Sequence, residues 1–457
     1  MNEQIFDVVI VGGGLSGLST AHFLKKQAPG KNILILEKDS RVGGAIRSMN
    51  EQGFLAEWGP HGFLDNVAES RELLSDLAVT DSIQQAPLKQ FVRYICLGGK
   101  LVQLPQTPPA IIKSNIIPFT SKLRVLADLI RKPKQEEQTV ADWATHRFGK
   151  AVLPIVDIVF TGTYAGNIDT LSIDAAMPGL RRLEKEYGSV LKGAIKTQRQ
   201  KKNTSGLPSM VSFKNGMEHL ITMMSESANI RMNSPVESIT KQADYWTIQT
   251  GQSEIKSKQL VLSTHINQAL ALLGGLAKPP RKSVNEAVVY NVVFGFDSEV
   301  KIPFGFGYLA PKSEKRFALG TLFSIHMFPG RAPEGMNIVE VLVGGARNPE
   351  FLSLGDDDLM RRALNDIGAL IELKNPPVFK KIIKPKVGIP QLELGHLQFL
   401  EYRDKLQNQY RGLSINGFGW EGIGMNEMIK QAKETANNLI SDSNTPKSPA
   451  QAKGIYF

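Results

Sequence analysis

Phe6-Asp7-Val8-Val9-Ile10-Val11-Gly12-Gly13-Gly14-Leu15-Ser16-Gly17 opens the chain, and Ile33-Leu34-Ile35-Leu36-Glu37 follows after a helix-like run to about Lys26. Strand, glycine turn, helix, strand and acid stand in the order that a dinucleotide-binding βαβ unit requires. Gly12 permits the tight turn, Gly14 lets the backbone approach a pyrophosphate, and Gly17 lets helix and strand pack closely. The pyrophosphate is expected at the helix N-terminus, where the N–H groups around Leu15 and Ser16 have no helical partner. Glu37 lies 25 residues after Gly12. A carboxylate there can accept from both hydroxyls of a ribose and would repel a 2′-phosphate. The fold class this predicts is α/β, with a doubly wound, Rossmann-like domain.

The next residues separate NAD from FAD. Glu37-Lys38-Asp39-Ser40-Arg41-Val42-Gly43-Gly44-Ala45-Ile46-Arg47 places a second glycine pair just after the acid. This resembles the extended signature of the FAD-dependent amine oxidase superfamily. That signature usually reads GGR; here Ala45 stands in the third place. The order Gly-Gly-x-Ile-Arg-Ser is closer to the porphyrinogen oxidase branch. The resemblance implies an FAD anchor from Val8 to Ser48, with Gly13, Lys38, Gly44 and Ala45 beside the cofactor.

The whole chain sets limits. Its 457 residues suggest two to three domains, and 42% hydrophobic with 21% charged residues is ordinary for a globular protein. Cys96 is the single cysteine, which excludes an intramolecular disulfide and a cysteine-based metal cluster and suits a reducing cytosol. It also leaves no cysteine near the C-terminus for a covalent flavin link, so FAD is expected to be non-covalent. Glu3 and Asp7 stand where a secretory signal would be basic. No apolar stretch reaches the roughly 20 residues of a spanning helix. The net charge of +10 favours anionic partners. Eight Lys/Arg crowd Arg181 to Lys202 and read either as a solvated basic face or as a contact for an anionic surface. No nucleic-acid motif and no metal-ligand pattern is present.

Gly59-Pro60-His61-Gly62 marks a loop after a short strand. In the resembled family such a loop lies against the isoalloxazine ring. His61 is a loop histidine for which backbone positioning outweighs acid–base catalysis, so no catalytic residue is assigned. Arg93-Tyr94-Ile95-Cys96-Leu97-Gly98-Gly99-Lys100-Leu101-Val102-Gln103-Leu104-Pro105 predicts a β-hairpin turning at Gly98-Gly99. Arg93 at its head is either a surface arginine or a bidentate carboxylate clamp. Pro105 to Lys134 alternates apolar and basic residues. It reads as amphipathic helix on a core or as a membrane-interface segment.

Phe160-Thr161-Gly162-Thr163-Tyr164-Ala165-Gly166-Asn167, Leu171-Ser172-Ile173, Ala176-Met177-Pro178, Leu183-Glu184 and Gly188-Ser189-Val190 resemble the oxygen-dependent protoporphyrinogen oxidases over a long, specific pattern. The Arg93 hairpin fits that family as well, and there the matching arginine holds a substrate propionate. Strand-like runs at 288–296, 306–309, 317–323 and 338–345 suggest a mixed sheet that could roof a flat ligand. Phe306, Leu309 and Leu342 match family positions that sandwich a tetrapyrrole, with Gly162 close by. The resemblance also puts the backbone of Val236 against the adenine and a second flavin turn at Ile423, Gly424 and Met425, before a helix to about Ile440.

The resemblance runs from Val8 to Lys430. It implies an FAD-binding domain in three parts (1–87, 206–275 and 391–440), a helical membrane-facing and substrate segment (88–205), a mixed-sheet substrate domain (276–390) and a polar tail (441–457). It implies six-electron oxidation of protoporphyrinogen IX to protoporphyrin IX, with O2 as acceptor and H2O2 formed. The expected place is the cytoplasm, peripheral on an anionic inner membrane face, with a homodimer left open. Coproporphyrinogen III oxidases share every motif quoted. A flavin amine or polyamine oxidase would share the FAD motifs but usually carries a lysine where Asn291 stands. A non-catalytic nucleotide-fold binding protein would not need the intact glycine turn.

Overall fold

The computed structural model describes residues 5–86, 92–105, 113, 114, 116, 118–200, 209–251 and 253–441. Ile5–Val11 forms a strand that is buried from Val8 onward, as an unbroken Val-Val-Ile-Val run at the centre of a parallel sheet requires. It pairs in parallel with Ile33–Leu36 on one side and with Glu254–Leu262 on the other. Ile230–Arg231 extends one edge, and Leu413–Ile415 pairs in parallel with the end of Glu254–Leu262. The antiparallel hairpin Val236–Lys241 and Trp246–Thr250 completes seven strands.

Alternation along these strands assigns their two faces. Val8, Ile10, Ile35 and Val261 pack under the helices Leu15–Gln27 and Met425–Ser441. Val9, Val11, Leu34 and Leu262 pack under Ile266–Leu273 and Leu397–Gln409. Helices on both faces make the sheet doubly wound, and the chain returns to it from three separate stretches of sequence.

A second seven-stranded sheet runs in the order Phe379–Ile383, Val289–Asp297, Met336–Gly344, Gly320–Leu322, Gly307–Leu309, Arg93–Leu97, Lys100–Gln103. It is mixed, because Gly307–Leu309 and Arg93–Leu97 are parallel while the other pairs are antiparallel. The Arg93 hairpin turns at Gly98 and Gly99, both with positive φ. Although chain order puts this hairpin in the segment expected to be helical, it forms the edge of the mixed sheet. One face of the sheet is closed by the helix Asp356–Gly368, through Leu359, Ala363 and Ile367 against Val292, Phe294, Val341 and Tyr308.

Residues 118–200 form a helical unit that includes Val140–Phe148, Leu153–Tyr164, Pro178–Tyr187 and Val190–Gln200. Its centre is charged. Arg147, fully buried, binds both Asp128 and Glu184, and Arg181 binds Glu184 and Asp174. Arg181 therefore points inward and does not join a solvated basic face. Of the expected amphipathic stretch 105–134, residues 106–112, 115 and 117 lie outside the described residues, as do 442–457 of the polar tail. Among the described residues no helix is long and apolar enough to cross a membrane.

Candidate functional site

The glycine turn is built by close approach. Gly12 has φ +107°, and a Cβ there would lie 2.8 Å from the carbonyl oxygen of Ser263 on the neighbouring strand's end. A Cβ on Gly17 would collide with the carbonyl oxygen of Gly12. Gly14 is different, with no atom within 4 Å of where its Cβ would stand. Ser16, in the first turn of the helix that follows, is buried, and its Oγ has no partner among the described residues. Open space over Gly14, a buried unpaired hydroxyl and unpaired helical N–H groups fit a pyrophosphate.

Glu37 is 6% exposed and does more than the sequence foretold. Its Oε2 accepts from the N–H of Gly13 at 2.7 Å and its Oε1 from the N–H of Asp39 at 2.9 Å. The carboxylate thus braces the glycine turn and keeps a lone pair on each oxygen for ribose hydroxyls. Its carbonyl accepts from the N–H of Ser234, which brings the start of the strand at Val236 beside it. Lys38 is exposed. The second glycine pair closes on the first: the N–H of Gly43 donates to the carbonyl of Gly13 at 2.8 Å, and a Cβ on Gly44 would lie 3.7 Å from the Cα of Gly14. Gly44 and Ala45 are exposed, and the loop at Gly59 packs on the carbonyl of Ala45.

The turn Ile423-Gly424-Met425 opens the helix Met425–Ser441, which packs along Leu15–Gln27. Asn416 ties these helices by donating to Thr20 Oγ1 at 3.2 Å and Thr435 Oγ1 at 3.0 Å. Asn426 donates to the carbonyl of Leu64 at 2.9 Å, anchoring this turn near the Pro60–Gly62 loop. The cofactor residues expected from sequence are therefore arranged around both glycine turns, with Val236 at the Glu37 end.

Arg93, Leu309 and Leu342, three of the residues expected at the substrate, share one face of the mixed sheet. Cross-strand partners and residues two apart on a strand point the same way. One row runs Arg93, Gly307, Leu322, Glu340, Val293. The next runs Ile95, Leu309, Gly320, Leu342, Asn291. A Cβ on Gly162 would lie 2.8 Å from Leu309 Cδ1, so the helix Leu153–Tyr164 touches this face directly. Arg93 lies over the ring of Phe306, 5.3 Å from its centroid.

At the far end of that face the loop histidine meets a buried acid. His61 Nε2 lies 2.9 Å from Glu340 Oε2, with side-chain exposures of 14% and 1%. Burial works against the His61 charge, but Glu340 outweighs it and holds the imidazole above its ordinary pKa. Burial likewise opposes the Glu340 charge, and His61, Ser324 and Asn291 more than offset it, leaving this carboxyl below its usual range. Ser324 Oγ and Asn291 Nδ2 both donate to it. Beside them, Glu57 accepts from Arg331 at 2.6 Å and from Ser48 at 2.6 Å. Sequence reasoning missed Glu340, Glu57 and Arg331. The signal available was a lone acid inside the apolar run Ile338-Val339-Glu340-Val341-Leu342-Val343.

The sequence model of the family described as flavin containing amine oxidoreductase matches residues 15–422. Protoporphyrinogen oxidase 2 (chloroplastic/mitochondrial) of Arabidopsis thaliana is 28% identical, covering 95% of this chain and 94% of its own. The coproporphyrinogen III oxidase of Staphylococcus aureus is 26% identical over 95% of this chain and 99% of its own. A crystal structure from Exiguobacterium sp. 255-15, itself provisionally assigned as a protoporphyrinogen oxidase, superposes with a TM-score of 0.80. It is 21% identical and covers 97% of this chain and 100% of its own.

Proposed function

The chain belongs to the flavin containing amine oxidoreductase family, and on that premise we propose that it oxidises protoporphyrinogen IX to protoporphyrin IX. It is an FAD oxidoreductase. When bound, FAD supplies the oxidation two electrons at a time, and O2 takes the electrons as H2O2. The residues around Gly12 to Gly17 and Ile423 to Met425 hold the pyrophosphate region, Glu37 holds the ribose, and Val236 lies by the adenine. Non-covalent binding is supported by Cys96, which is buried in the core under the opposite face of the mixed sheet.

The observation that carries the substrate is the mixed-sheet face. Leu309 and Leu342 stand in one row across it with Gly320 between them, and Arg93 with Phe306 stands towards its hairpin end. A flat apolar macrocycle can lie on the leucines while a propionate reaches the guanidinium. The protein binds, orients and excludes water; no residue is assigned to take a proton.

The helical unit supports a peripheral membrane reading. Leu123, Leu126 and Ile130 are 57%, 55% and 85% exposed, close to Lys122, Arg124 and Arg131. We assign this unit to an anionic membrane surface on the cytoplasmic side.

The test is an aerobic assay with protoporphyrinogen and coproporphyrinogen, read by porphyrin fluorescence. Faster turnover of protoporphyrinogen, with one H2O2 per two electrons, is expected. Preference for coproporphyrinogen would move the reading to the other relative. A flavinated protein that oxidises neither would defeat it.

A further inference from the structure

Asn291 sits inside the strand Val289–Asp297 and is 4% exposed. Its Nδ2 donates to Glu340 Oε2 and, at 3.2 Å, to the carbonyl of Glu57. Both partners only accept, so the amide has one workable orientation. Its Oδ1 is buried and has no partner among the described residues. A buried acceptor without a donor is costly, and a native structure that keeps one calls for a reason.

The surroundings hold that orphan in place. Glu340 is clamped by His61 and Ser324 and stays an ionised acceptor, which keeps the Asn291 amide nitrogen facing it. Asn291 stands directly opposite Leu342, in the same row as Leu309 and Gly320. The fixed oxygen therefore belongs to the face assigned above to the macrocycle. Each pyrrole of a porphyrinogen carries an N–H that loses its water when the ring is buried against leucines. Such a donor and such an acceptor each need what the other supplies.

Resting on the proposed function, we propose that Asn291 is a substrate-binding residue whose Oδ1 accepts a pyrrole N–H of the porphyrinogen. His61, acting through Glu340, is a positioning residue for it. The same acceptor chemistry could serve an N–H of the reduced cofactor ring, and the experiment separates the two.

Asn291→Val and Asn291→Thr differ by a methyl against a hydroxyl, and both suit a strand. Each holoenzyme is mixed anaerobically with protoporphyrinogen, and flavin reduction gives Kd and the limiting rate. The flavin midpoint potential is measured without porphyrinogen. Asn291→Val should raise Kd about tenfold, the size of one such lost bond, and leave the potential unchanged. Asn291→Thr should recover part. His61→Ala leaves the strand untouched and should also raise Kd, so the inference stands even where the Asn291 variants fail to fold. A shifted potential with unchanged Kd gives the acceptor to the cofactor and overturns the inference. Unchanged Kd and potential in Asn291→Val overturns it too. A wild type whose flavin no porphyrinogen reduces sinks the proposed function and this inference with it; a competent wild type with an unaltered variant sinks this inference alone.

Discussion

Arg93 and Glu340 stand in one cross-strand row of the mixed sheet, three strands apart and on the same face. At the spacing of neighbouring strands they are about 14 Å apart. The cation proposed for a propionate and the buried acid that grips His61 thus bracket a face that carries Leu309 and Leu342. That distance suits a tetrapyrrole lying across the strands with one side chain reaching the edge.

Arg93→Ala should leave the fold and the flavin content unchanged, because Arg93 starts the strand next to the edge strand Lys100–Gln103 of the mixed sheet, whereas the first glycine turn follows a strand of the other sheet. Steady-state kinetics should show kcat/KM for the porphyrinogen lowered by roughly 10- to 150-fold, one charge-assisted bond. Arg93→Lys should recover only part, since an ammonium keeps the charge without the bidentate fork. A fully flavinated Arg93→Ala with wild-type kinetics would contradict the clamp.

Glu37→Gln should weaken FAD binding by about tenfold or more. The amide oxygen can still accept from Gly13, but its NH2 then meets the N–H of Asp39, which Oε1 now accepts. Flavin fluorescence titration of the apoprotein measures the loss. An unchanged flavin Kd would mean that the carboxylate serves only the turn.

The glycine turns were legible in the sequence because a close approach leaves glycine where any other residue would collide. The strands at 289–297 and 336–344 were legible too, since their apolar runs are long and β-branched. What joins them was not. Arg93 joined this sheet through a parallel pairing with Gly307–Leu309, more than two hundred residues away in sequence. Glu340 drew no notice within its strand-like run, because His61, Ser324 and Asn291 are brought round it only by the fold. Long-range pairing and the partners of a buried charge are properties of the folded chain, and no local pattern encodes them.

The His61–Glu340 pair should make stability depend on pH. The pKa of His61 is raised above its ordinary 6.5, so its contribution is full below that pH and is lost as pH rises through the folded value. Glu340 is lowered from 4.5, so its contribution is present above that pH and is lost as pH falls through the folded value. Glu57 and Arg331 face the same loop and nearly cancel in charge. The Tm difference between wild type and His61→Gln should be largest in mildly acidic solution and shrink towards alkaline pH. A difference that stays flat across this range would mean that the pair is not ionised.

Salt-sensitive flotation with anionic vesicles should follow from the exposed Leu123, Leu126 and Ile130 beside basic residues. Attachment should weaken with salt, as the Debye length falls from ~10 Å at 0.1 M to ~3 Å at 1 M. Replacing all three apolar residues by serine should lower partitioning at least about tenfold. Equal flotation of the triple variant would place the contact elsewhere.

Arg147 gives the sharpest stability prediction. It is fully buried and binds Asp128 at 3.0 Å, Glu184 through Nε at 2.7 Å and the carbonyl of Arg131 at 2.8 Å. Asp128 also accepts from Ser189 Oγ at 2.6 Å and from the N–H of Leu191 at 2.9 Å. Glu184 also accepts from Trp143 Nε1 at 2.9 Å, and it binds Arg181. Arg147→Ala leaves two buried carboxylates short of their cation, a loss of about 3–5 kcal/mol. Removing a partnered charge together with it should cost less than the sum, because the two act as a unit. Arg147→Met with Asp128→Asn is therefore expected to be more stable than Arg147→Ala. The effect should begin in the helical unit, so hydrogen exchange in residues 118–200 should rise before the flavin is released. Because Gly162 of this unit packs on Leu309, porphyrinogen KM should rise while flavin content holds. Uniform exchange across both sheets, with flavin lost in step, would show instead that the network supports the whole fold.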